Sequence, residues 1–116
     1  MKQKTLKTFL VCLLAFAGIG KSYAHDIAAA NADGVTIYYN FTNNQTELKV
    51  TYQGNSTSSK AYAGKVAIPW SVRHEGNTYP VTSIGYSAFS NCSGLTEVTI
   101  PNSVTSIDIS AFSNCI

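Results

Sequence analysis

The pattern of apolar and polar positions predicts β-structure in the middle of the chain. Apolar side chains occupy every second position from residue 35 to residue 41, and Leu48, Val50 and Tyr52 repeat that spacing further on. A period of two places alternate side chains on one face of a strand, so both stretches are predicted strands. Residues 42–46, Thr-Asn-Asn-Gln-Thr, have turn chemistry. We therefore expect an antiparallel hairpin here.

A second group of short strands follows a polar loop. Residues 54–64 are rich in Ser, Asn, Thr and Gly, which is typical of an exposed loop. Residues 65–69 predict a strand that ends at a proline, and a second hairpin follows. Gly76 and Asn77 both accept a positive φ, so they are the predicted hairpin turn. Pro80 has no N–H to donate, which restricts its strand to an edge or an end.

The last third of the chain contains a repeat. Residues 81–92 (VTSIGYSAFSNC) recur as residues 104–115 (VTSIDISAFSNC), at an offset of 23 residues and with ten of twelve positions identical. Identity at a fixed offset of this size is typical of a solenoid, in which successive coils of the chain stack on one another.

The positions of the repeat separate into a core and a surface. Leu95, Val98 and Ile100 fit the apolar positions of a leucine-rich repeat strand. Thr96, Glu97 and Thr99 alternate outward from them and are the candidate binding surface. The predicted repeat core consists of Ile84, Phe89, Cys92, Leu95, Val98, Ile100, Ile107, Phe112 and Cys115.

The first 24 residues predict export. Three lysines within the first seven residues precede an apolar stretch at 9–19, which is too short to span a bilayer as a helix. Ser22 and Ala24 place small residues at the −3 and −1 positions of a cleavage site before His25. We therefore interpret residues 1–24 as a secretory signal peptide, and we expect no membrane span after its removal.

The charge distribution argues against a nucleic-acid partner. The formal net charge of the whole chain is +2, but four of the eight basic residues lie within the first 24. The remaining residues include four basic and six acidic ones, a formal net charge of −2. A nucleic-acid-binding surface needs a basic patch, and the sequence beyond residue 24 predicts none.

Residues 81–116 resemble the BspA-like leucine-rich repeats of bacterial surface and secreted proteins. The resemblance is carried by residues 95–107 (LTEVTIPNSVTSI) and by the Ala-Phe-Ser-Asn-Cys tails at 88–92 and 111–115. The resemblance implies an exported or surface-displayed protein of the kind implicated in adhesion to host matrix proteins and to other cells.

The region before the repeat resembles, more loosely, the leader that often precedes such repeats. Ile68-Pro69 and residues 76–82 carry this likeness, while Trp70 departs from it because a polar residue is usual there. Asp108 departs from the glycine usual after the isoleucine. Gly85 keeps that glycine, which we expect to serve a positive φ, and we expect slight strain at Asp108.

The expected fold is mainly β, a short hairpin cap followed by a leucine-rich-repeat solenoid. Residues 25–33 are expected to be a loose leader. Residues 34–80 are expected to form a β-rich cap over the first coil, since an uncovered solenoid end exposes apolar core and unpaired strand edges. Residues 81–116 are expected to form an incomplete array, about one and a half coils of 23 residues.

Two cysteines remain beyond the signal peptide, Cys92 and Cys115, at equivalent repeat positions. A disulfide between stacked coils is geometrically conceivable, and export permits it. The alternative is a ladder of small buried thiols.

The sequence offers no catalytic arrangement. His74 adjoins Glu75 beside a turn without further ligands, and no serine lies in a Gly-x-Ser-x-Gly elbow. We expect no catalytic residue, metal or cofactor, but a non-enzymatic adhesion module for a host or cell-surface protein. The alternative is a truncated fragment of a longer repeat adhesin without activity of its own. An open edge on the last coil also predicts self-association.

Overall fold

The computed structural model describes residues 25–53 and 62–115. The predicted signal peptide and most of the polar loop at 54–64 lie outside the described residues. In the described part, all regular secondary structure is β-strand. Its strands are β1 (Ile27–Ala30), β2 (Thr36–Thr42), β3 (Glu47–Thr51), β4 (Gly64–Ala67), β5 (Ser71–His74), β6 (Asn77–Ile84), β7 (Leu95–Thr99) and β8 (Ser106–Ile107).

These strands form two sheets. The larger sheet has the order β1–β2–β3–β6–β5, and β8 also pairs with β6. The smaller sheet consists of β4 and β7. The pairs β3–β6, β6–β8 and β4–β7 are parallel, while β1–β2, β2–β3 and β5–β6 are antiparallel. Parallel pairing between successive coils is the geometry of a solenoid, so the larger sheet joins hairpins to a stack of coils.

The first predicted hairpin is confirmed. β2 and β3 pair antiparallel from Tyr38↔Thr51 to Thr42↔Glu47. The loop at 43–46 contains three consecutive residues with positive φ, at 54°, 58° and 64°. Two of these are asparagines, which tolerate the left-handed region better than most residues because their short polar side chains bond locally.

The expected loose leader is wrong in its central part, because residues 27–30 form β1. This strand pairs with β2 in the register Ile27↔Tyr39 to Ala30↔Thr36. Ile27 is buried, 4% exposed, and the other residues of the strand are alanines. The alanine-rich sequence conceals the strand, since alanine has a low intrinsic preference for β-structure.

The second hairpin lies one residue earlier than predicted. The register runs from Ser71↔Pro80 to His74↔Asn77, so the turn residues are Glu75 and Gly76. Their φ angles are 51° and 84°. A two-residue turn with positive φ at both positions matches the twist of the flanking strands. Asn77 therefore belongs to β6.

The repeat builds stacked coils, as the 23-residue offset predicts. In the parallel pair β6–β8, Ser83 lies beside Ser106 and Ile84 beside Ile107. Beyond the strands the same offset, less one residue, continues in backbone hydrogen bonds. The Phe89 N–H donates to the Ala111 carbonyl at 2.8 Å. The two coils are therefore held together along the whole turn that follows each strand.

The turns of the two coils have the same backbone conformation. Ser87 and Ser110 have φ angles of 54° and 60°, and Asn91 and Asn114 have φ angles of 62° and 60°. Positive φ at matching positions shows that the repeated sequence folds the same way twice. The Asn114 side-chain amide also donates to Oδ1 of Asn91 at 3.2 Å, which continues the ladder outside the backbone.

Gly85 serves close backbone approach and not the positive φ that the sequence suggested. Its φ is not positive, nor is that of Asp108. A Cβ added at Gly85 would lie 2.9 Å from the Val50 carbonyl oxygen. That oxygen accepts the Gly85 N–H at 2.8 Å, and the Ile84 carbonyl accepts the Asp108 N–H at the same distance. Asp108 is exposed and needs no strained conformation.

Gly85→Ala is expected to destabilise the fold by about 1–3 kcal/mol, because the new methyl group must displace the β3 backbone. Chemical denaturation followed by far-UV circular dichroism measures the loss. Gly94→Ala is the matched control, since a Cβ there meets nothing closer than 3.4 Å. Equal stability of the two variants would contradict the steric explanation.

Candidate functional site

The predicted binding residues of β7 are all exposed. Glu97 and Thr99 lie two residues apart and therefore on the same face of the strand. Val98 lies on the opposite face, partly buried against the core. Thr96 is exposed as well, next to Leu95, where β7 borders the end of the solenoid.

The structure adds Lys65 to this surface. In the parallel pair β4–β7, Lys65 is the register partner of Glu97, and Ala67 is the partner of Thr99. Lys65 is exposed. We define the outer β4–β7 surface as the side chains of Lys65, Glu97 and Thr99. Both strands lie in a sheet that the coils hold rigidly, so these side chains project from a fixed base.

Lys65 could have been found from the sequence. Residues 65–69 (KVAIP) align with residues 97–101 (EVTIP), and the Ile-Pro pair fixes the alignment. The offset is longer than 23 residues because the β5–β6 hairpin is inserted between the two strands. β4 thus pairs with a repeat strand although it lies in the segment expected to be a cap. That residues 34–80 act as a cap stays a prediction.

The charges of the outer β4–β7 surface are of opposite sign and lie side by side. A surface pair of this kind contributes at most about 1 kcal/mol to stability, because water screens both groups. Opposite charges held on neighbouring strands are more effective in recognition, where they orient a partner and set its registration. The chemistry offered is one ammonium, one carboxylate and one hydroxyl on a flat β-surface.

An aromatic column supports this surface from inside. Phe89 lies between Tyr62, at a ring centroid distance of 4.7 Å, and Phe112, at 5.1 Å with an interplanar angle of 2°. Phe89 and Tyr62 are almost completely buried. The stack runs through both coils, so it ties the end of the solenoid to its interior.

The Tyr62 hydroxyl links the coil to the first hairpin. It accepts the Tyr38 N–H at 3.0 Å and donates to the Thr51 carbonyl at 2.6 Å. Tyr38 and Thr51 are register partners at the end of the β2–β3 pair. The hydroxyl therefore bridges two backbone groups that face each other across the ladder. Burial raises the pKa of Tyr62, so the hydroxyl stays protonated and able to donate.

Both cysteines of the described part are free thiols. Cys92 is buried, 1% exposed, and Cys115 is partly buried. The Cys115 thiol donates to the Phe89 carbonyl at 2.6 Å. Burial raises the pKa of the Cys92 thiol, which keeps it in the unreactive protonated form. The structure thus corresponds to the ladder of buried thiols and not to the disulfide.

The predicted repeat core is buried in the first coil and open in the second. Ile84 and Phe89 are 0% exposed, but their counterparts Ile107 and Phe112 are 52% and 36% exposed. Ile100 is also exposed, at 39%. The prediction that these three residues lie in the core is wrong for the described structure, because no described residue covers the outer side of the second coil.

A shallow groove of about 360 Å³ follows this open side. It combines apolar side chains with the rim of β7. The residues that line it are Leu95, Thr96, Glu97, Val98, Ile100, Phe112 and Cys115.

His74 and Glu75 form an exposed pair with Nε2 and Oε2 3.7 Å apart. Across residues 25–53 and 62–115, no three side chains of His, Cys, Asp or Glu come together in a way that would hold a metal ion. The same residues contain no helix with the length and apolarity needed to cross a membrane.

Stacked coils of a 23-residue repeat, each with a short parallel strand and an apolar interior, define a leucine-rich repeat solenoid. Residues 76–116 match the family described as BspA type Leucine rich repeat region (6 copies). This part of the chain belongs to that family, which confirms the resemblance seen in the sequence.

Three solved structures are similar to the chain. A leucine-rich repeat protein from Bacteroides ovatus is 38% identical over 68% of this chain and 20% of its own, with a TM-score of 0.57. A leucine rich cell surface protein from Faecalibacterium prausnitzii is 23% identical over 78% and 28%, with a TM-score of 0.45. A leucine-rich repeat protein from Bacteroides capillosus is 21% identical over 69% and 89%, with a TM-score of 0.38.

The chain thus spans about one fifth of the Bacteroides ovatus protein. No curated protein is significantly similar to it.

Proposed function

We propose that this chain is an exported, non-enzymatic interaction module that binds a host or cell-surface protein through the outer β4–β7 surface. The observation that carries the proposal is the arrangement of Lys65, Glu97 and Thr99 on two parallel strands. Three polar side chains of different chemistry project from a base that needs no further ordering. A rigid surface binds at a lower entropic cost than a mobile loop.

Export is supported by the sequence of residues 1–24, which lies outside the described residues. A basic start, a short apolar stretch and a small-residue cleavage site are the three features of a secretory signal. The scarcity of charged residues, 12% of the chain, is typical of an extracellular β-rich surface more than of a cytoplasmic helical one.

Binding is favoured over catalysis by what the surface contains. The outer β4–β7 surface is flat and exposed, with no enclosing walls to remove water from a reacting group. A substrate pocket normally buries most of its ligand. The exposed ammonium and carboxylate instead suit contacts with a protein surface of complementary charge.

The proposal is tested by biolayer interferometry of the secreted chain on immobilised, purified matrix proteins, namely collagen, laminin and fibronectin, and on intact epithelial cells. Saturable binding to at least one of these is expected, and it should weaken as salt is raised, because the recognising side chains are charged. A folded chain that binds none of them at any salt concentration would remove adhesion as the function.

A further inference from the structure

The end of the second coil carries the large apolar side chains that a solenoid normally buries. Ile100, Ile107, Ile109 and Phe112 are 39%, 52%, 71% and 36% exposed. The counterparts of Ile107 and Phe112 in the first coil are fully buried beneath the second coil. We call this set of four side chains the end face. Its chemistry matches a surface that the same fold covers one coil earlier.

The backbone of β7 is open along the same side. The Thr99 carbonyl accepts the Ile68 N–H at 3.0 Å, which directs the backbone polar groups of Thr99 toward the β4 side. Successive residues of a strand direct these groups to opposite sides. The N–H and C=O groups of Val98 and Ile100 therefore point away from β4, and β7 pairs with no other described strand. An open, flat edge of this kind is a template for another strand.

We propose that a second copy of this chain covers the end face, with the two β7 strands paired antiparallel across a two-fold axis at Val98. In this register Val98 faces its own counterpart, Thr96 faces Ile100, and Glu97 faces Thr99. No carboxylate is placed directly opposite a carboxylate. The same axis brings the two Phe112 rings onto one contact surface, above the Phe89 rings that already stack beneath them.

The favoured occupant is a second copy because the patch is complementary to itself. A two-fold interface requires that each residue of the patch finds a suitable partner in the same patch reversed. β7 satisfies this requirement, since its centre is apolar and its single charge falls opposite a hydroxyl. A head-to-tail contact would instead leave one open end on each assembly and would continue into larger species.

This interface is separate from the outer β4–β7 surface, so it stands or falls independently of the proposed function. Glu97 and Thr99 side chains project from the sheet face, whereas the pairing uses the strand edge and the end face. Matrix binding by a monomer would leave the proposed function intact and remove the dimer. A dimer that binds no matrix protein would do the reverse.

The test is sedimentation velocity of the full 116-residue chain over a concentration series. A species of twice the chain mass is expected. Ile100→Lys should raise the dimer dissociation constant about tenfold or more, because a charge on an open edge opposes pairing. Trp70→Lys is the control, since Trp70 is 66% exposed and lies outside the end face. Its dissociation constant should not change.

Each other outcome overturns the proposal. A monomer at every concentration contradicts it, and so does a dimer that Ile100→Lys leaves unchanged. A series of species larger than the dimer indicates head-to-tail contact. A monomer that binds a synthetic peptide of residues 95–115 indicates that a repeat from another protein covers the face. If circular dichroism shows that Ile100→Lys does not fold, Ile107→Lys replaces it, since that side chain is half exposed.

Discussion

Phe89→Ala is expected to cost about 3–5 kcal/mol of folding free energy, the range for removing a fully buried aromatic side chain. Phe89 is 0% exposed and contacts a ring on each side, at centroid distances of 4.7 Å and 5.1 Å. Its removal leaves a cavity between two coils whose backbones are fixed by hydrogen bonds, so little collapse is possible. Small domains have about 5–15 kcal/mol in total. The variant should therefore be near the limit of folding.

Urea denaturation followed by far-UV circular dichroism measures this loss. Phe112→Ala is the matched control, because it removes the same side chain from the equivalent position of the next coil, where 36% is exposed. Its cost should be clearly smaller, about 1–2 kcal/mol, since less area returns to water. Equal costs at the two positions would mean that the first coil is no better packed than the second.

Tyr62→Phe is expected to cost about 2–4 kcal/mol, although it removes a single oxygen atom. The hydroxyl satisfies the Tyr38 N–H and the buried Thr51 carbonyl, and phenylalanine offers neither group a partner. The ring itself remains, so its packing on Phe89 is retained. The loss should therefore appear at the junction of the first hairpin with the coil. Amide hydrogen exchange should become faster at Tyr38 before the repeat strands are affected.

Tyr86→Phe is the control for this second substitution, because Tyr86 is 53% exposed and water can solvate its hydroxyl. It should change stability by less than about 0.5 kcal/mol. If Tyr62→Phe were as mild as Tyr86→Phe, the bridge between the hairpin and the coil would not contribute to stability.

The features that the sequence predicts correctly are those that repeat. The copies at 81–92 and 104–115 share their turn conformations and stack through parallel strands, because identical residues at a fixed offset meet identical surroundings. The alternation at 35–41 likewise predicts β2, since its period of two is carried by large side chains. Both signals are local and redundant, so no single position can hide them.

The features that the sequence did not predict depend on contacts between distant segments. β1 is a run of alanines that becomes a strand only because β2 offers it an edge. Gly85 is required by the Val50 carbonyl, 35 residues away, and nothing next to Gly85 in the sequence reveals that contact. Lys65 was missed because an inserted hairpin lengthens the offset between β4 and β7.

The most direct test of the proposed binding surface is to reverse one of its charges. Glu97→Lys places two ammonium groups side by side, and Glu75→Lys makes the same change at a turn residue whose side chain is 82% exposed. On the matrix protein or cell that binds the native chain, Glu97→Lys should raise the Kd about tenfold or more, while Glu75→Lys should leave it unchanged. Equal Kd values for the two folded variants would contradict binding through the outer β4–β7 surface.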